Sequence, residues 1–267
     1  MRKVLERNNV KVIGEGIETI MFAHGFGCDQ SMWRHIVPSF EKDYRIVLFD
    51  YVGSGNSDLT AYDSEKYSTL HGYAQDVLDI IDELQLEQFI FVGHSVSSMI
   101  GMLASIERPD RFKHIVMVGP SPRYLNDAGR YYGGFEKKDV LELLDMMEMN
   151  FIGWASFMAP LVTDSIVNPN VSKEVERSFN SGDPIITKQF AEVTFFSDHR
   201  KDLAKSITPT LIIQCSDDSI VPIEVGEYLH NHLENSEFQL MDVKGHYPHL
   251  SNPTKTVQLI KEYLQLV

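Results

Sequence analysis

Three residue types in a fixed chain order could do chemistry together: a serine in Gly93-His94-Ser95-Val96-Ser97, an aspartate in Ser216-Asp217-Asp218-Ser219, and a histidine in Lys244-Gly245-His246-Tyr247. A serine hydroxyl is a poor nucleophile near neutral pH. It needs a base within hydrogen-bond reach, and that base needs an acid to orient it. Serine, then an acid, then histidine is the chain order of acyl transfer from a strand–turn–helix serine. Ser95 is therefore read as nucleophile, His246 as general base and acid, and Asp218 as its orienter. Each place has a rival. Asp217 competes with Asp218, which is favoured because Asp218-Ser219-Ile220-Val221-Pro222 sets it at a turn, whereas Asp217 suits an N-cap or a solvent-facing position. His249 competes with His246, which is favoured because Gly245 permits the tight approach such a loop needs. Any one of these residues alone would be an ordinary structural residue; three at the ends of three expected strands are a constellation.

The elements around them fit that use. Residues 88–92, Gln-Phe-Ile-Phe-Val, read as a buried strand, and residues 98–105 are small and apolar at helical spacing. A serine between them sits on a sharp turn and faces the N-terminus of the following helix. There the backbone N–H groups and the dipole favour negative charge. The fifth motif position is Ser97 where glycine is usual, a small residue and a tolerated variant. An oxyanion needs two donors. Val96 N–H follows the nucleophile, and Phe26 N–H lies in His24-Gly25-Phe26-Gly27 after an early strand. The Phe26 ring would then enter the pocket.

Apolar runs recur at residues 19–23, 44–49, 89–92, 114–118, 209–214 and 237–241. Helical periodicity fills residues 70–84, 225–233 and 254–266. Strands alternating with helices predict an α/β domain with a parallel sheet covered on both faces. From about residue 122 to 200 the alternation stops. Helical patterns at 140–149, 151–157 and 188–196 replace it, separated by Pro160, Pro169 and Pro184. The expected organisation is a core of residues 1–121 and 201–267 with a helical cap, 122–200, inserted over the sheet. Most aromatic and Met residues of the insertion serve packing. Trp154, Phe157 and Phe196 are expected to line an apolar pocket facing the serine.

Composition narrows the classes. The formal net charge of −14 disfavours nucleic acid and anionic membrane as partners, although an acidic surface also serves solubility. Cys28 and Cys215 stand far apart and make no disulfide framework, so a reducing compartment is expected. The first nine residues are charged and carry no apolar run, so no signal peptide is expected, and a cytoplasmic protein is the default. Gly53-Ser54-Gly55-Asn56-Ser57 lacks a third glycine and an immediate helix, so a turn is read in preference to a phosphate cradle. No cluster has metal-ligand spacing; a metal-free, cofactor-free mechanism is expected. An aspartate nucleophile, as haloalkane dehalogenation requires, is absent from the motif.

These motifs resemble the α/β-hydrolase superfamily over nearly the whole chain. His24-Gly25-Phe26-Gly27, Asp50-Tyr51-Val52-Gly53-Ser54-Gly55-Asn56-Ser57, the Ser95 motif and Gly245-His246 are its landmarks. Within it, Gly93-His94-Ser95-Val96-Ser97-Ser98-Met99, residues 118–126, Asn150-Phe151-Ile152-Gly153-Trp154-Ala155 and residues 195–200 resemble the RsbQ type, regulators of the bacterial sigma-B stress response, and their plant relatives, the karrikin and strigolactone receptors. The resemblance implies a mostly parallel eight-stranded sheet, a four-helix cap and an intact triad. It implies slow action on, or sensing of, a small hydrophobic ester-like or lactone-like molecule. It also implies a protein partner, a PAS-domain serine phosphatase of the RsbP kind. Two readings stay open: an esterase, and a signalling module in which hydrolysis is incidental.

Overall fold

The structure, a computed structural model, describes residues 3–266. Its centre is a seven-stranded sheet in the order β1-β3-β2-β4-β5-β6-β7. The strands are β1 (Lys11–Ile13), β2 (Glu18–Ala23), β3 (Tyr44–Leu48), β4 (Phe89–His94), β5 (Phe112–Val118), β6 (Thr210–Asp217) and β7 (Ser236–Lys244). Only β1 runs antiparallel, against β3. The eight strands implied by the resemblance become seven among the described residues. Residues Val4–Arg7 before β1 form a short helix, α1, and among the described residues no strand pairs outside β1.

Burial on both faces explains why the central strands read as unbroken apolar runs. All six residues of β4 are buried. Their side chains alternate between two cores, as the two-residue strand period requires. Ile20, Phe22, Ile90, Val92, Val116, Val118, Leu211 and Ile213 join Trp33, Phe40 and the last helix on one face. Met21, Phe91, Ile115, Met117 and Ile212 join the other. The helices are α2 (Leu70–Glu83), α3 (Val96–Glu107), α4 (Lys137–Met149), α5 (Phe151–Val162), α6 (Pro169–Ser181), α7 (Pro184–Phe196), α8 (Ile223–His232), α9 (Pro248–Ser251) and α10 (Pro253–Leu266). None is long and apolar enough to cross a membrane among the described residues.

Four helices, α4 to α7, lie between β5 and β6, where the sequence shows no strand-like run. Pro169 and Pro184 start α6 and α7, as a residue with fixed φ and no N–H suits the first helical position. Asp183 caps α7 by accepting from Ile185 N and Ile186 N. Pro160 does not separate segments; it lies inside α5, two residues before its end, and gives up only the one bond its N–H would have made to the Ser156 carbonyl. The sequence reading also missed α6, whose buried face is only Ser172, Val175 and Phe179.

Chain order sets the position of the site. The chain leaves β2 toward β3 on one side and leaves β4 toward β5 on the other, so the strand order reverses between the neighbours β2 and β4. A crevice opens at the carboxyl ends of strands where the order reverses, and ligands bind there. Ala23 pairs with Gly93 at that end, which sets the turns after β2 and β4 side by side.

Candidate active site

Ser95 stands between β4 and α3 with φ 56° and ψ −122°, a backbone conformation that costs a non-glycine residue of order 1–3 kcal/mol. The surroundings hold it there. Ser95 N donates to Val118 O at the end of β5 (2.7 Å). Gly93 permits the close approach, since a Cβ there would lie 2.7 Å from the Ser97 carbonyl. The strained turn places the Ser95 hydroxyl 2.8 Å from His246 Nε2. His246 Nδ1 lies 2.7 Å from Asp218 Oδ2. A carboxylate can only accept, so Nδ1 carries the proton and Nε2 is left to accept from Ser95.

The two partners are positioned by different elements. Asp218 follows β6, and its side chain is fully buried. Its other oxygen accepts from Ile220 N (2.8 Å) and Val221 N (3.1 Å), which fixes the carboxylate plane. His246 follows β7. Its N–H donates to Val162 O at the end of α5 (2.7 Å), and its carbonyl accepts from His94 Nε2 (2.8 Å). Gly245, at φ +98°, gives that loop the left-handed conformation it needs. The rival residues lie elsewhere. Asp217 is exposed and faces Lys244 (3.7 Å). His249 is fully buried on Trp33, with ring centroids 4.6 Å apart and neither ring nitrogen hydrogen-bonded in the protein.

That burial predicts a pH effect. Desolvation, then the neighbouring His246, lowers the pKa of His249 from 6.5 to about 3. His94, fully buried beside it, is also pushed well below 6.5. The unfolded chain binds protons at both rings below pH 6.5 and the native chain does not. Stability is therefore full above that pH and falls as pH drops, by about 1.4 kcal/mol per pH unit per ring. His249→Phe keeps the ring contact with Trp33 and is expected to flatten the loss between pH 6.5 and 5 by roughly half, measured by urea denaturation. An unchanged slope would contradict it.

The proposed oxyanion residues occupy the expected turns. Val96 is the first residue of α3, where N–H groups have no intrahelical acceptor. Phe26 lies in the turn after β2. Its ring enters an aromatic cage, with centroids 5.7 Å from Phe190, 6.0 Å from Trp154, 6.3 Å from Phe179 and 6.4 Å from Phe195. Gly25 cannot carry a side chain, since a Cβ would meet His94 Nδ1 at 2.4 Å. Ser97 ties the two turns together. Its hydroxyl donates to His24 O and lies 3.0 Å from Tyr51 Oη, while Tyr51 N donates to His24 Nε2 (3.2 Å). The variant fifth residue of the motif thus anchors the Phe26 turn to α3. Ser97→Ala leaves the His24 carbonyl and Tyr51 hydroxyl buried without this partner. It is expected to cost about 1–3 kcal/mol of stability and to lower kcat for an ester several-fold with little change in KM. A KM change without a kcat change would argue against this positioning role.

Ser95 and His246 open on a narrow cavity of about 40 Å³, walled by Phe26, Trp154, Met158, Phe179, Phe195 and Tyr247 among others. Of the four residues expected to line it, Phe26 and Trp154 do and Phe157 and Phe196 do not. Helical rotation of about 100° per residue explains both corrections. On α5, Trp154, Met158 and Val162 share the inward face, and Phe157, off that face, is 49% exposed. On α7, Phe190, Ala191, Thr194 and Phe195 face inward, and Phe196 falls on the opposite side, in an outer groove with Leu70 and His71. One residue beside the serine had no assigned role. Tyr124, in the loop after β5, sets its hydroxyl 3.4 Å from Ser95 Oγ. Burial pushes its pKa up to about 12, so the phenol stays neutral near pH 7. An aperiodic loop gives no sequence signal for such a contact.

Residues 18–253 match the family model described as alpha/beta hydrolase fold. The chain belongs to the alpha/beta hydrolase family. It is 43% identical over 262 residues to "Karrikin insensitive 2 receptor CA" of Petunia hybrida, covering 98% of this chain and 97% of the relative. It is 39% identical to "Strigolactone esterase D14" of Arabidopsis thaliana, with the same coverage. Among solved structures, a hydrolase from Oleispira antarctica superposes with a TM-score of 0.96 at 43% identity, covering 98% of this chain and 96% of that one. This alpha/beta hydrolase thus has close relatives named as receptors and others named as esterases.

Proposed function

We propose that this alpha/beta hydrolase cleaves small apolar esters or lactones through Ser95, His246 and Asp218. The observation that carries this reading is the unbroken hydrogen-bond line from Asp218 through His246 to Ser95, ending in an apolar cavity. Ser95 Oγ attacks the carbonyl carbon as its proton passes to His246 Nε2. Phe26 N–H and Val96 N–H hold the oxygen that gains charge. Collapse of the intermediate breaks the ester C–O bond, and the leaving alkoxy oxygen takes the proton from His246. Water then repeats both steps in reverse roles, releasing the acid and freeing Ser95. The Tyr124 hydroxyl, neutral and 3.4 Å from the nucleophile, donates to substrate oxygen. Purified protein is expected to hydrolyse 4-nitrophenyl acetate above the buffer rate; turnover equal to buffer would reject the reading.

A second reading gives the protein a signalling role, in which slow turnover accompanies ligand sensing. The 43% identity to a relative named as a receptor, over nearly the full length, favours it. The motif likeness to the RsbQ type extends the proposal to a cytoplasmic regulator of sigma-B acting with a PAS-domain serine phosphatase. Titration calorimetry against such a phosphatase, with and without ligand, tests it. No heat in either case would count against it.

A further inference from the structure

Thr194 is a polar residue of the cavity that the proposed reaction does not use. It belongs to the inward face of α7, between Phe190 and Phe195, and is 2% exposed. Its hydroxyl has no hydrogen-bond partner in the protein. A threonine inside a helix ordinarily returns its hydroxyl to the carbonyl four residues back. Thr163, just past α5, does this with Ala159 O. Thr194 does not, although its own carbonyl accepts from Ser197 Oγ (2.8 Å).

Most other polar groups of the cavity are engaged; His94 Nδ1, which has no hydrogen bond, packs against Gly25. Ser95, Tyr124 and His246 form the reacting end. His94 Nε2 is bonded to the His246 carbonyl, and Tyr247 Oη to Cys28 Sγ. The remaining wall is aromatic and aliphatic. Leaving a buried hydroxyl unpaired is unfavourable, and a binding cavity places its few free polar groups where a ligand satisfies them. Among the described residues no Asp, Glu, Lys or Arg lines the cavity, so the matching group is neutral.

We propose that Thr194 determines specificity by donating a hydrogen bond to a second, neutral oxygen of the ligand, an ether or carbonyl separated from the reacting carbonyl by apolar carbon. This deepens the esterase reading and rests on its cavity being the acyl or ligand pocket. The preferred ligand class is then a two-ended molecule: an ester or lactone carbonyl at Ser95 and a hydrogen-bond acceptor at α7.

The test uses isosteric pairs of esters: 4-nitrophenyl 3-methoxypropanoate against the pentanoate, and 4-methoxybutanoate against the hexanoate. Thr194→Val removes the hydroxyl and keeps the shape. In at least one pair it is expected to lower the ether-to-alkyl ratio of kcat/KM about 10-fold, with the alkyl ester unchanged or faster. Thr194→Ser is expected to restore the ratio. A change below 2-fold in both pairs would overturn the proposal, and so would loss of both esters alike in a folded variant. Binding of the corresponding methyl esters is followed in parallel by tryptophan fluorescence, with Ser95→Ala present throughout. If wild-type protein turns over none of the esters, the hydrolase reading fails. The proposal then stands or falls on whether adding Thr194→Val to that background weakens binding of the ether ester alone.

Discussion

Ser95→Ala is expected to lower kcat/KM for 4-nitrophenyl acetate at least about 1,000-fold, to the rate that binding and oxyanion contacts alone sustain. The removed oxygen is the only atom of residue 95 that reaches His246 and Tyr124. The strained backbone remains, because alanine and serine share a Cβ and hence the same φ/ψ penalty. The fold should therefore survive, with a melting temperature within a few degrees of wild type. That separates loss of chemistry from loss of structure. Retained hydrolysis in the purified variant would place the nucleophile elsewhere.

The second large effect belongs to Asp218→Asn. Asp218 has three acceptor contacts and a fully buried side chain: Oδ1 takes two backbone N–H groups, and Oδ2 takes the proton side of His246. An asparagine can serve the two N–H groups only by turning its carbonyl oxygen toward them. Its amide NH2 then faces His246 Nδ1, which must become an acceptor. The ring proton moves to Nε2, and His246 can no longer take the proton of Ser95. The expected loss is on the order of 10³- to 10⁴-fold in kcat with a small change in KM. Turning the amide the other way would set its NH2 against the N–H groups of Ile220 and Val221, so the wrong tautomer is the less costly outcome. Asp217→Asn, at an exposed residue, is expected to leave kcat within 2-fold. A larger effect from Asp217 than from Asp218 would reverse the assignment.

The parts of the site that follow a strict spacing could be read from the chain. Ser95, Asp218 and His246 each follow a strand; β4 and β6 were legible because burial on both faces makes them continuously apolar, whereas β7, before His246, is mostly exposed and was read from the short run 237–241. The choice between neighbours Asp217 and Asp218 rested on the turn chemistry of Asp218-Ser219-Ile220, and the N–H groups of Ile220 and Val221 do converge on Asp218. Pocket lining was less legible. Trp154 and Phe157 are both aromatic and one helical turn apart, and only the docking of α5 decides which of them turns inward. The same holds for Phe195 and Phe196 at the end of α7. Tyr124 and Thr194 illustrate a further limit. Their importance lies in where one hydroxyl sits relative to groups distant in sequence, and no local pattern encodes that. β1, with three residues, is too short for its periodicity to register.

Intact-protein mass spectrometry after exposure to ethyl 4-nitrophenyl methylphosphonate tests the central claim most directly. Attack by an activated serine expels 4-nitrophenol and leaves one phosphonyl group on the chain. The predicted result is a single adduct that maps to Ser95 and is absent from Ser95→Ala and His246→Ala. An adduct that persists in Ser95→Ala, or none on folded wild-type protein, would contradict it.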